Sequence, residues 1–150
     1  MHRHLPFLLI LLSLVLISPS PAKAAVLTVD TVWKGEVTLS EDVLVPAGVT
    51  LTLRPGTIVR VVAAESTKTD PEFISPLTEI SVRGRLNIEG THKDPVKLLS
   101  QDGKSGGEWA GVLLDGGEAD ISNCIISGAE SAIYAHDAAL LLDNSTLSGN

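Results

Sequence analysis

The chain has 150 residues, with 11 Lys and Arg against 18 Asp and Glu and a formal net charge of −7. That length suits one domain. The acidic balance, with no Lys/Arg cluster and no aromatic platform, sets aside nucleic acid and anionic membrane surfaces as partners. Cys124 is the only cysteine, so no intrachain disulfide framework exists.

The first residues read as an address. His2, Arg3 and His4 make a basic start, Leu5 to Ile17 is almost wholly apolar, and Ala22-Lys23-Ala24 has the small-x-small form of a signal-peptidase site. An apolar run of about 13 residues is short of the roughly 20 that a spanning helix needs. Residues 1–24 are therefore expected to be a signal peptide, and residues 25–150 a single exported domain with no membrane span after cleavage. No cysteine follows the cleavage site, so the start is not of lipoprotein type. Removing Arg3 and Lys23 leaves 9 basic residues against all 18 acidic ones, a mature net charge of −9.

From Val37 onward the apolar residues alternate in short runs: Val37/Leu39, Val43/Val45, Val49/Leu51/Leu53, Ile80/Val82, Leu86/Ile88 and Val96/Leu98. Period two is the strand signature, one set of side chains facing a core and the intervening Thr, Ser, Arg, Asn and Lys facing out. Turn residues separate the runs, at Pro46-Ala47-Gly48, Pro55-Gly56, Arg83-Gly84, Glu89-Gly90, Asp115-Gly116-Gly117 and Ser127-Gly128. Two stretches are too long for corners and read as surface excursions: polar Ala64 to Thr78, and Gly-rich Gln101 to Gly107 before Trp109.

Hairpins and a coil both fit strands this short, and an internal repeat decides between them. Ala119 to Ala129 lies over Leu140 to Asn150 at an offset of about 21 residues, with Asn123 on Asn144, Ser127 on Ser148 and Gly128 on Gly149. Ile121 on Leu142 and Ile126 on Leu147 keep the apolar positions. Three short strands with three corners use about that many residues per turn, so the expected fold is all-β, a right-handed parallel β-helix of about five coils beginning near Trp33. Ala25 to Val32 is left as a cover for its first coil.

Residues Trp33 to Asn150 resemble the right-handed parallel β-helix proteins of the pectin-lyase-like class, of the secreted bacterial type. The resemblance rests on Trp33-Lys34-Gly35-Glu36-Val37, on Val43 to Thr57, on Ile80 to Thr91, on Pro95 to Ser100, and on Glu108-Trp109-Ala110-Gly111-Val112. It implies a scaffold and no single activity. Members of the class usually carry many more coils after the first block.

The 21-residue register places Asp115 and His136 side by side on consecutive coils, with Asp137 adjacent in sequence and Asp120 not far along the coil. A carboxylate beside an imidazole has the parts of a general base with its orienting partner, or of a fragmentary metal site. The competing reading is an exposed pair beside a turn, and one His among scattered Asp lacks a wider ligand pattern. No cofactor and no metal are expected. Asn123 and Asn144 read as an inward hydrogen-bonding ladder, Trp33 and Trp109 as packing residues, and Cys124 as a small buried apolar residue.

Two functional classes follow. The preferred one is a non-catalytic exported scaffold or surface-interaction module, secreted or otherwise outside the cytoplasm, with a polysaccharide or a cell-surface protein as its partner. The alternative is a polysaccharide-active lyase, hydrolase or epimerase using Asp115, His136 and Asp137. A coil in full register at Leu140, Leu142 and Leu147 also leads to the expectation of further coils, or a partner, at the C-terminal end.

Overall fold

The computed structural model describes residues 25–63 and 75–150. The expected signal peptide and all but the last residues of the excursion from Ala64 to Thr78 lie outside them.

Fifteen strands wind through five coils. The first coil comprises β1 (Ala25–Val26), β2 (Thr31–Trp33) and β3 (Glu36–Leu39). The second has β4 (Val43–Val45), β5 (Thr50–Leu53) and β6 (Ile58–Val61). The third has β7 (Glu79–Val82), β8 (Arg85–Glu89) and β9 (Val96–Ser100). The fourth has β10 (Gly111–Asp115), β11 (Glu118–Ser122) and β12 (Cys124–Ser127), and the fifth β13 (Ile133–His136), β14 (Ala139–Asp143) and β15 (Thr146–Leu147). Each strand pairs in parallel with its counterparts one coil away, giving three five-stranded sheets: sheet A (β1-β4-β7-β10-β13), sheet B (β2-β5-β8-β11-β14) and sheet C (β3-β6-β9-β12-β15). No helix occurs among the described residues. The chain is an all-β parallel β-helix, and right-handed winding is the sense that parallel crossovers prefer.

Alternation in sequence becomes columns in space. Leu51, Leu86, Ala119 and Leu140 stack inward on sheet B, as do Leu53, Ile88, Ile121 and Leu142. Val59, Leu98, Ile126 and Leu147 make the matching column on sheet C. The members from the second to fourth coils are buried, each Leu or Ile contributing roughly 1.5–3 kcal/mol. Trp109 is fully buried, and its indole Nε1 donates to the Ser127 carbonyl at 3.1 Å, so it packs beneath the turn between sheets C and A. Trp33 is half-buried on an inner column of the first coil.

Several expectations are corrected by the register. Coil pairing extends upstream of Trp33 to Ala25: Ala25 N donates to the Asp42 carbonyl at 2.8 Å and Leu27 N to that of Leu44 at 2.9 Å, which makes the anticipated cover part of a coil. The period of 21 holds between the fourth and fifth coils, where Val112 meets Ile133, Ala119 meets Leu140 and Ile125 meets Thr146. Between the second and third coils Val43 pairs with Ile80, and between the third and fourth Ile80 pairs with Val112. The additional residues enter mainly at one corner, from sheet C to sheet A, after β6 and again after β9. A smaller insertion separates β8 from β9, where Asn123 alone separates β11 from β12.

The outer face of sheet A also departs from simple alternation. Leu44, Ser81 and Leu113 point away from the core, yet they are 1%, 0% and 5% exposed. This is the face beside the inserted corner. Ser75 N donates to Glu79 Oε2 at 2.7 Å, and Glu79 N donates to Asp42 Oδ1 at 3.0 Å, so two buried carboxylates anchor the end of the first excursion. Buried on both faces, β7 is the most enclosed strand of its sheet.

Glycine at the A-to-B corner serves close approach as well as left-handed backbone. A Cβ on Gly84 would lie 2.3 Å from the carbonyl oxygens of both Pro46 and Val49 in the coil below, and one on Gly117 would lie 2.6 Å from Val82 O. Gly84→Ala is therefore expected to force those corners apart. The expected loss is about 1–3 kcal/mol in urea unfolding. An unchanged midpoint would show that the corners are not stacked this closely.

Candidate functional site

The end of sheet A, where it turns into sheet B, brings the expected residues together. Asp115 and His136 are register partners on β10 and β13. His136 Nδ1 lies 3.4 Å from Asp115 Oδ1, and Nε2 lies 3.8 Å from Asp137 Oδ2. Both register partners sit on the outward face, the His136 side chain being 61% exposed and that of Asp115 37%, with the neighbouring Asp137 at 87%. Asp137 holds a left-handed backbone conformation, φ +46°, because it forms the corner itself.

A further residue belongs to this cluster. Arg83 Nε lies 3.5 Å from the other Asp115 oxygen, Oδ2, so one carboxylate is placed between a guanidinium on the third coil and an imidazole on the fifth. The 32-residue step from Ile80 to Val112 hides that neighbour from a search at the 21-residue period. Asp120 is exposed on the outer face of sheet B, between Asn87 and Leu141, and is not part of the cluster.

Beside the cluster runs an open groove of about 500 Å³ along the A-to-B corners of the second to fifth coils. Gly48, Gly84, Gly116 and Gly117 keep it free of bulk, and Arg83, Arg85, Glu118 and Asp137 supply its charged groups. Asp115 and His136 are not among its lining residues. A second, mainly apolar cleft of about 230 Å³ lies at the opposite side of sheet A, between Ser75, Pro76, Leu113 and Tyr134. Among the described residues, no group of three or more His, Cys, Asp and Glu side chains is arranged to hold a metal ion. No described helix is long and apolar enough to cross a membrane.

The Arg83–Asp115 pair repeats a device used elsewhere on the outer faces, a cation on one coil meeting an anion on the next. Arg60 Nε meets Glu36 Oε1 at 2.6 Å and Arg54 Nη1 meets Glu89 Oε2 at 2.7 Å. Arg85 and Glu118 pair through two contacts, Nε to Oε1 at 2.9 Å and Nη2 to Oε2 at 2.8 Å. The hydrogen bond from Arg85 holds the Glu118 carboxyl below its ordinary value, opposed by desolvation and aided by the Arg85 charge. Hydrogen bonding to Glu118 likewise raises Arg85.

Asn123 and Asn144 are corners in left-handed backbone, φ +48° and +45°. They do not form the expected inward ladder with each other. Asn123 Nδ2 donates to the Gly90 carbonyl of the coil below at 3.1 Å, while Asn144 Nδ2 donates to Asp143 Oδ2 at 2.8 Å. Asn tolerates positive φ better than most residues, which is why the type recurs at this corner. Cys124 is free and 1% exposed, and burial pushes its thiol up to about 12 against a smaller opposing hydrogen bond from the Ile125 backbone.

Comparison with protein-family models, curated proteins and solved structures finds no match to this chain.

Two measurements check this electrostatic picture. Cys124 should resist a thiol reagent at pH 8 in the folded protein and react fully in denaturant, since only the thiolate attacks; rapid native labelling would contradict its burial. The lowered folded value of Glu118 contributes stability that is present above the unfolded carboxyl value and is lost as pH falls through the folded one. In an NMR titration Arg85→Gln should move the Glu118 midpoint upward, and an unmoved midpoint would show that the pair does not form in solution.

Proposed function

We propose that this chain is an exported, non-catalytic β-helix scaffold that acts as a surface-interaction module outside the cytoplasm. The observation that carries the reading is the placement of Asp115 between Arg83 and His136, on the outward face and outside the groove. That carboxylate is engaged as the other cross-coil carboxylates are, in tying neighbouring coils together, rather than converging with other polar groups on a bound substrate. The basic start, the apolar run from Leu5 to Ile17 and Ala22-Lys23-Ala24, read as a signal peptide, support export. Both excursions leave from one corner of the solenoid, and insertions that map to one face of a repeat fold often mark its binding face. In this reading the partner is a polysaccharide or a cell-surface protein, met along that face.

The resemblance to the pectin-lyase-like class supports a second reading, a polysaccharide-active lyase, hydrolase or epimerase. The specific observation in its favour is the glycine-lined groove of about 500 Å³ with Arg83, Arg85 and Asp137 along it. A shared architecture is a weak warrant for activity, because chemistry resides in sites grafted onto folds. A mature net charge of −9 also disfavours acidic polysaccharides unless a cation bridges them.

Incubation with neutral and acidic polysaccharides, with and without calcium, separates the two. The module reading predicts binding without product release, unchanged in His136→Ala. Turnover that His136→Ala abolishes would establish the enzyme instead.

A further inference from the structure

The outer face of sheet C differs in charge from the rest of the surface, and we propose that it docks an acidic protein segment carrying aliphatic side chains. This deepens the reading of the chain as an interaction module and rests on it, naming the chemistry of the partner. Alternate residues of β6, β9 and β12 fill the core, so the residues between them point out: Ile58 and Arg60, Lys97 and Leu99, Ile125 and Ser127. Register stacks these in two columns, Ile58-Lys97-Ile125 and Arg60-Leu99-Ser127. All six are partly buried and lie in the second to fourth coils, with a coil on either side.

Cationic and aliphatic side chains alternate across β6 and β9, and no carboxylate occupies an outward position on β6, β9 or β12. The outward positions of sheet B, by contrast, hold Glu89, Glu118 and Asp120, and the mature chain carries a net charge of −9. Glu36 neutralises Arg60 at 2.6 Å. Among the described residues, nothing pairs with the Lys97 ammonium. Lys97 stands between Ile58 and Ile125, whose aliphatic surface excludes water and so strengthens its attraction for a carboxylate.

Charge complementarity therefore selects the partner. An acidic segment is repelled by most of this surface and attracted here, which fixes where and in what orientation it lands. Sheet C also leads into the corner from which both excursions leave, so its outer face continues the face assigned to binding above. Along β9, Lys97 and Leu99 are two residues apart, about 7 Å. An extended segment with a carboxylate and an aliphatic side chain two residues apart meets both.

Fluorescence anisotropy of a labelled, soluble peptide of Glu-Ser-Leu-Ser repeats, titrated with the purified chain, tests this. Binding is expected, and it should weaken as salt is raised. Lys97→Glu and Leu99→Ser should each weaken it roughly tenfold, and Lys97→Arg should retain it, with circular dichroism verifying that each variant stays folded. Equal binding of a peptide of Lys-Ser-Leu-Ser repeats, or binding of neither peptide, overturns the proposal while leaving the module reading intact, since that reading falls only to turnover. Retention on phosphatidylglycerol vesicles in place of the peptide would assign the face to lipid, and self-association lost in Lys97→Glu would assign it to a second copy; either result overturns the proposal too.

Discussion

Parallel backbone pairing between coils is the constraint from which the rest of this molecule follows. Each strand finds its hydrogen-bonding partners in adjacent coils, not in its sequence neighbours. Once coils lie about 4.8 Å apart, a residue's environment is set by the residues directly above and below it. Apolar residues collect in inward columns and ion pairs form across coils on the outside. The corners are pressed so close that Gly84 and Gly117 have no room for a Cβ.

Much of this was legible in the sequence because stacking copies a pattern from coil to coil. Period-two runs such as Leu51/Leu53 and Leu86/Ile88 identify inner columns without reference to partners. The repeat from Ala119 to Asn150 set the register of the last two coils, which the structure retains residue for residue. Upstream, insertions break the copy. Sequence spacing alone could not pair Val43 with Ile80, because the length of an excursion carries no signal about where the coil resumes. Nor could alternation reveal that Ser81 is buried, since what covers an outer face lies elsewhere in the chain.

The candidate site shows the same division. Asp115 and His136 were placed together by the 21-residue repeat, and their side chains approach to 3.4 Å. Arg83, two coils below His136, lies beyond an insertion and was missed as a partner of Asp115. Its inclusion alters the chemical reading, since a carboxylate shared with a guanidinium is one more outer-face tie between coils. The Asn corners illustrate a subtler limit: residue type and register were read correctly, but left-handed backbone directs Asn123 and Asn144 to different acceptors.

The central claim is that consecutive strands do not pair with each other and that strands one coil apart do. Inter-strand nuclear Overhauser contacts on isotopically labelled protein test it most directly. The account predicts parallel-type contacts between Leu113 and Tyr134, between Asp120 and Leu141, and between Ile125 and Thr146. Antiparallel contacts linking β10 to β11, or β11 to β12, would mean hairpins in place of coils and would contradict it.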